Sequence, residues 1–200
     1  MSTTPKKITN LEEQSDEELA EATKNGDDNA YQALMRRYMN HIFNFARQYA
    51  KNDDDAEDII QDSFFKVWKY IKRFDKGKSF RPWLFTITRN TALDHVKKKR
   101  AMSFSEIDDG NDEVSFAETL HDPEPLPQEI FDRALLSEEI TGALSTLHPD
   151  HRAVLVMHYQ QEMTFDEIAD VMKKPMNTVK SWHRRALIKV RDLFVHQRYK

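Results

Sequence analysis

The sequence predicts an all-α protein: two small helical domains joined by an acidic, proline-containing linker, with a helix-turn-helix in the second. Three observations carry that expectation. Apolar residues recur at helical spacing in one segment after another, and no run of alternating β-branched residues is long enough for a sheet. The 200 residues include only four glycines, and the 39% hydrophobic share against 32% charged residues suits a modest core in each domain under a well-solvated surface. Third, the stretch from Thr164 to Val195 is built as a capped helix, a short break and a basic helix.

Taken in order, residues 1–14 are a polar tail. Ser15 and Glu18 stand at capping-box spacing and start a short helix through Leu19 and Ala22 that stops near Gly26. Tyr31, Leu34, Met35, Tyr38, Ile42, Phe45 and Tyr49 then form the stripe of a strongly amphipathic second helix. A turn at Asn52 to Asp55 leads into a third, striped by Ile59, Ile60, Phe64, Val67, Trp68 and Ile71. Its acidic start complements the helix dipole and lacks the ligand spacing and glycine of a calcium loop. Phe74 to Phe80 reads as a flexible loop, and Pro82 suits the first position of the next helix, with Ser79 or a neighbour as cap. That helix turns Trp83, Leu84 and Ile87 inward, continues through Arg89, Asn90 and Asp94, and finishes in Lys97 to Arg100. Trp83 is expected to pack, while the terminal cations suit phosphates, as aromatic and cationic residues do in single-strand binding.

The first domain is thus expected over residues 15–100 and the linker over 101–127, where Pro123, Pro125 and Pro127 oppose a helix. The second, over 128–198, resumes with Ile130, Leu135, Leu136, Ile140, Ala143 and Leu144. After Pro149 a helix bearing Val154, Leu155, Met157 and Tyr159 delivers the chain to the helix-turn-helix. There Thr164 and Glu167 form a second capping box, Ile168, Ala169 and Met172 an apolar face, and Pro175 the stop. Asn177 is placed to cap the next helix, which turns Val179, Ala186 and Val190 inward and Lys180, Ser181, Arg184 and Arg185 outward. A basic cluster near the N-terminal half of such a helix is where a recognition helix meets the major groove.

The net charge of -4 hides an uneven distribution: Lys173 to Lys200 carries nine Lys or Arg against one Asp, whereas Ser103 to Ile130 carries nine acidic residues and no Lys or Arg. Local potential, not the average, governs phosphate binding. The absence of cysteine excludes disulfides, thiolate metal sites and cysteine nucleophiles. His148, Asp150 and His151, and the Asp94-His95 pair, lack the further ligands a metal shell needs. No Gly-rich phosphate loop or hydrolase motif occurs. No catalytic residue, metal or cofactor is therefore expected. The N-terminus lacks a signal-peptide core and no segment is long enough to span a bilayer, so a cytoplasmic location is expected.

Four stretches together resemble the extracytoplasmic-function class of bacterial RNA polymerase sigma factors: Ser15 to Tyr31, Glu57 to Trp68, Phe80 to Asn90 with Asp94, and Leu147 to Leu193. The resemblance implies an alternative sigma factor that binds core polymerase, directs it to -10/-35 promoters and helps melt DNA, catalysis belonging to the polymerase. It implies that Gln61, Asp62, Phe65 and Trp68 dock on the β′ clamp, with the β flap as a further contact. Lys76, Lys78, Phe80, Arg89, Asn90, Lys97 and Arg100 would capture the -10 element. Asn177, Thr178, Lys180, Ser181, Trp182, Arg184 and Arg185 would read the -35 element. An anti-sigma protein is an implied partner, and no small-molecule substrate is. The chain departs from the family pattern at Lys173, where glycine is usual and a different turn or a left-handed residue follows. Asn177 replaces a further glycine, and Trp182 and His183 stand where Arg and Leu are common. A regulator that dimerises or senses a ligand through its first half is the competing reading; it would bind DNA without polymerase.

Overall fold

In the computed structural model, which describes residues 11–102 and 147–197, every regular element is helical. The first group comprises α1 (Asp16–Lys24), α2 (Asp28–Ala46), α3 (Asp53–Tyr70) and α4 (Phe80–Met102), with a 3-10 turn at Ile71–Arg73. The second comprises α5 (Pro149–Leu155), a π-type turn at Val156–Gln160, α6 (Phe165–Met172) and α7 (Met176–Gln197). The expected linker beyond Met102, the patterned stretch from Ile130 to Leu144 and most of the polar tail lie outside the described residues.

Local chemistry sets the helix starts. Ser15 and Glu18 close a reciprocal capping box, the Ser15 hydroxyl accepting from the Glu18 N–H at 3.1 Å and the Glu18 carboxylate from the Ser15 N–H at 2.9 Å. Asp27 caps α2 and Asn52 caps α3, the latter accepting from the Asp55 N–H at 2.8 Å. Thr164 and Glu167 repeat the capping box at α6. Two expected boundaries move. The fourth helix begins at Phe80 rather than Pro82, because Glu17 of α1 accepts from the Phe80 N–H at 3.0 Å and supplies the cap expected of Ser79. The last begins at Met176, so Asn177 lies inside its first turn instead of capping it.

Pro175 does not end α6. That helix stops at Met172, and Lys173 adopts the left-handed conformation (φ 52°, ψ 43°) while its N–H donates to the Ala169 carbonyl. The choice left open by the sequence is thereby resolved toward a left-handed residue, and the turn keeps the usual hand without glycine.

A single apolar core runs through both groups. Leu19, Leu34, Ile42, Phe45, Ile59, Phe64, Phe80, Leu84 and Phe85 are continuous with Val154, Met157, Ile168, Val171 and Val179. Helix α6 packs on α4, so the first helix of the helix-turn-helix lies against the last helix of the first group.

Candidate nucleic-acid and protein interfaces

The first surface lies between α2 and α3. The Tyr31 hydroxyl donates to the Phe64 carbonyl at 2.7 Å, and the Tyr31 ring tilts against Trp68 at 5.0 Å. Burial pushes the Tyr31 phenol up to about 12, so it remains a donor at any physiological pH. Beside this pair opens a groove of about 700 Å³, lined by Met35, Met39, Asn40 and Phe43 from α2 and by Glu57, Ile60, Gln61, Phe64 and Phe65 from α3. Phe65 is 65% exposed and Trp68 44%. Covering a large apolar side chain returns about 1.5–3 kcal/mol, so two exposed aromatics beside an apolar groove are an energetic site for a protein partner. Glu57, Asp58 and Asp62 are exposed on the same helix and favour a partner with basic residues around an apolar ridge. The structure brings Gln61, Asp62, Phe65 and Trp68 together on α3. Sequence reasoning missed the α2 half of the groove. The signal was Met39, an apolar residue four positions after Met35 at the edge of the stripe, and it is 38% exposed.

The second surface is α4 with the loop before it. Lys76 and Lys78 are exposed in a turn closed by the Asp75 side chain, which accepts from the Gly77 N–H at 3.0 Å. Phe80 corrects the expectation: it is 1% exposed, with its ring against Phe74 at 5.5 Å, Trp83 at 5.7 Å and Tyr38 at 5.8 Å. An apolar ring at the first residue of a helix gains more from that aromatic cluster than from a solvated loop. Trp83 packs in the same cluster, as expected. Arg89 is likewise not solvent-facing. It is 8% exposed, with one guanidinium nitrogen 3.5 Å from the Asp150 carboxylate of α5. Asn90 is half-buried, Lys97 and Lys98 are exposed, and the Arg100 side chain lies outside the described ones. Lys99 is held by Asp55 of α3, and that hydrogen bond keeps the Asp55 carboxyl below the usual carboxylate range despite its burial. This pair anchors the basic end of α4, so among the described side chains there the cations left for phosphates are Lys97 and Lys98.

The third surface is α7. Met176, Asn177 and Lys180 are exposed in its first turns, and Thr178, Ser181, Arg184 and Arg185 are half-buried. The Lys180 ammonium lies 5.8 Å from the centroid of the Phe165 ring. Trp182 packs against the neighbouring helix: its ring is 5.5 Å from His151 of α5, with the Lys174 ammonium 6.0 Å away. His183 sits among Tyr159, His158 and Phe165 at 5.6, 4.9 and 5.1 Å, and burial lowers its pKa to about 4. The His151 imidazole is also lowered to about 4, by burial first and then by His148, Arg185 and Lys189 against the opposing pull of Asp150. Both rings are neutral near pH 7 and pack as aromatic surfaces. Among the described residues no cluster of three or more His, Cys, Asp or Glu is arranged to hold a metal.

A set of polar contacts between the helix groups had no signal in the sequence beyond the residue types. The Tyr49 hydroxyl donates to Asp150 at 2.9 Å, Arg152 donates to the Gln48 carbonyl at 2.7 Å, and Arg81 donates to the Gln161 carbonyl at 2.5 Å. Tyr49 lies past the end of α2 yet is 9% exposed, and its phenol is raised by burial and by Asp150.

Comparison with known proteins agrees with this anatomy. Residues 34–102 match the sigma-70 region 2 family and residues 137–190 the sigma-70 region 4 family, together more than half of the chain. The chain belongs to the extracytoplasmic-function class of RNA polymerase sigma factors, alternative sigma factors of promoter-directed transcription initiation. It is similar to ECF RNA polymerase sigma factor SigE of Mycolicibacterium smegmatis, 28% identical over 82% of this chain and 61% of the relative. It is also similar to SigW of Bacillus subtilis, 26% identical over 79% and 85% of the two chains. The chain therefore spans about three fifths of the first relative and most of the second. In fold it resembles CnrH bound to the cytosolic domain of CnrY, with a TM-score of 0.64, 23% identity and coverage of 92% and 99%. It likewise resembles the sigma factor RpoE bound to the anti-sigma factor NepR from Bartonella quintana, with a TM-score of 0.61, 21% identity and coverage of 82% and 96%.

Proposed function

We propose that this chain is a promoter-specificity subunit that acts without chemistry of its own, in the cytoplasm, by docking on bacterial core RNA polymerase and presenting two DNA-binding helices. The observation that carries the reading is one chain holding, in region order, an apolar groove flanked by exposed Phe65 and Trp68 and a helix-turn-helix with a basic first face. A polymerase subunit docks through the first and reads a promoter through the second; in a regulator the first would take a second copy or a ligand in place of polymerase.

In this reading residues 15–100 form the polymerase- and -10-binding domain, 101–127 the linker and 128–198 the -35-binding domain, after a tail at 1–14. Gln61, Asp62, Phe65 and Trp68 contact the β′ clamp, with Met35, Met39 and Phe43 completing the groove, and the second domain meets the β flap. Lys76, Lys78, Asn90, Lys97 and Arg100 contact the -10 region, joined by Arg89 once it leaves Asp150. Asn177, Thr178, Lys180, Ser181, Arg184 and Arg185 face the -35 duplex, with Trp182 at its edge. One solved relative, the sigma factor RpoE, is in complex with an anti-sigma factor, NepR, and this supports an anti-sigma partner here. Run-off transcription with core polymerase on genomic fragments tests the reading: fragments transcribed only when the chain is added support it. Binding of the same fragments by the chain alone, with no effect on transcription, would replace it with the regulator.

A further inference from the structure

Helix α7 opens on an apolar residue that the core leaves outside. The Pro175 carbonyl accepts from the Thr178 N–H at 2.9 Å and from the Val179 N–H at 3.2 Å, which fixes Met176 as the first residue of the helix. Val179, Ala186, Leu187 and Val190 are 0–3% exposed and supply the inward face, whereas Met176 is 36% exposed. Among the described side chains of α7, every other apolar one is buried or half-buried. Methionine elsewhere in this group of helices fills the core: Met157, Met163 and Met172 are 0, 2 and 1% exposed. The surface around Met176 is cationic, with Lys173, Lys174 and Lys180 exposed and Lys180 one turn further along the same flank. An apolar side chain among cations suits an anionic partner that offers an apolar spot.

Duplex DNA offers one. In the major groove the C5-methyl group of thymine is the apolar feature of the base edges, and it lies between walls of phosphate. The first residues of a recognition helix are those that meet base edges. We propose that Met176 is a specificity residue, whose thioether side chain covers the C5-methyl group of one thymine in the -35 element while Lys180 holds the flank beside it. The contact rests on the reading of α7 as the -35 helix and adds to it a selection for one A·T pair in one orientation. Because the side chain is uncharged it releases no counterions, so its effect is confined to that base pair and is insensitive to salt.

Uracil makes the test direct, since it deletes the methyl group and leaves the pairing and hydrogen-bonding edges of thymine in place. On a promoter transcribed by the wild-type holoenzyme, each thymine of the -35 element is replaced singly by uracil, on either strand, and initiation is measured at subsaturating holoenzyme. One replacement should lower wild-type initiation by about threefold to fourfold, the worth of one buried methyl group. The same replacement should leave Met176→Ala holoenzyme at its own rate on the thymine template, while Met176→Leu, which keeps an apolar side chain, should regain the sensitivity. The threefold to fourfold effect should hold when the salt concentration is doubled. Because each chain is compared with itself on two templates, a general loss of folding or polymerase binding in a variant does not imitate the result. A wild-type chain indifferent to every uracil, or a uracil effect of the same size in the wild type and Met176→Ala, overturns the thymine contact. If those results come with a loss of initiation on scrambling the -35 element, the contact alone falls. If scrambling the element changes nothing, the reading of α7 falls and the contact with it.

Discussion

Helices α4 and α7 carry the same kinds of residue and end in opposite situations. Both follow a turn, present Lys and Arg and bury one apolar face, yet α4 has Arg89 against Asp150 at 8% exposure while α7 leaves Asn177 and Lys180 open to solvent. The difference is one of neighbours. The basic residues of α4 sit where another group of helices can pack, and Arg89 and Lys99 are each held by a carboxylate that sequence spacing gave no reason to pair with them. In α7 the same chemistry lies at the free end of a helix-turn-helix, whose packing consumes the opposite face. Counting cations in a helix therefore states its charge, and only tertiary contacts state what that charge can reach.

The largest effect should come from the surface outside this contrast. Phe65→Ala removes a mostly exposed aromatic, whereas Trp68→Ala also removes the ring against which Tyr31 packs. Each should weaken core polymerase binding by about 2 kcal/mol, roughly thirtyfold, with the thermal midpoint nearly unchanged in Phe65→Ala and somewhat lowered in Trp68→Ala. Asp62→Arg should weaken it by a smaller factor by reversing the charge presented to a basic partner. A titration in which all three bind as tightly as the wild type would remove the groove from the polymerase contact.

Next in size is the test of whether α7 reads bases. A bidentate base contact is worth about 1–3 kcal/mol of discrimination, whereas a phosphate contact weakens every sequence alike. Lys180→Ala and Arg184→Ala should therefore lower holoenzyme transcription from a natural -35 element more than from a scrambled one, and Arg185→Ala should lower both about equally. In α4 the corresponding changes at Lys97 and Lys98 should flatten the salt dependence without changing sequence preference. Identical losses on both promoters for all the α7 variants would show that α7 grips without reading.

These contrasts also mark how far the sequence could be read. Capping boxes at Ser15 and Thr164 and the stripes of α2 and α3 are local, so their signals survive into the structure, except that Trp68 of the α3 stripe is 44% exposed. Spacing puts the start of α4 two residues late, at Pro82, because the cap is Glu17, which lies 63 positions from Phe80 in the chain. Phe80 and Arg89, which the resemblance gives to the -10 element, escape a reading of spacing for the same reason: their burial is decided by Tyr38, Phe74 and Asp150, which no spacing rule connects to them. Trp182, which the resemblance gives to the -35 element, has its ring against His151 across the seam of α5 and α7.

Acid should separate the two helix groups. His183 and His151 have folded pKa values lowered from 6.5 to about 4, so the unfolded chain binds more protons between those limits. Stability of the second group is then fully present above about pH 6.5 and is lost as pH falls toward 4. Because both rings keep part of their surface in water, the combined loss by pH 5 should be about 1–2 kcal/mol. His41 in α2 shifts the same way, through burial and Arg81, and softens the contrast. Asp55 in the first group has a lowered pKa, so its contribution persists above the usual carboxylate range and is lost only as pH falls through its lower folded value. Hydrogen exchange at pH 7 and 5 should show α5 to α7 losing protection before α2 and α3, and His183→Gln should narrow that difference. Parallel loss in both groups would mean that the histidines do not set the order.

The smallest effect isolates the turn that keeps α7 in place. Lys173 holds φ 52° with its side chain exposed, so substitutions there change the backbone preference and little else. The left-handed conformation costs an ordinary L-residue roughly 1–2 kcal/mol, and asparagine less because its side chain bonds locally. Glycine removes the strain but adds freedom to the unfolded chain worth about 0.4–1 kcal/mol, which cancels much of the gain. The order of stability should therefore be Asn first, then Gly, then Lys, with Lys173→Val last by about 1 kcal/mol because a β-branched residue tolerates positive φ worst. Urea midpoints at constant slope would read this order, and -35 discrimination should follow it only weakly, since the core beneath α6 and α7 is unchanged. If Lys173→Val leaves the midpoint where it was, the left-handed cap is not what ends α6, and the spacing between the two helices must be set by Ile168, Val171 and Val179 packing alone.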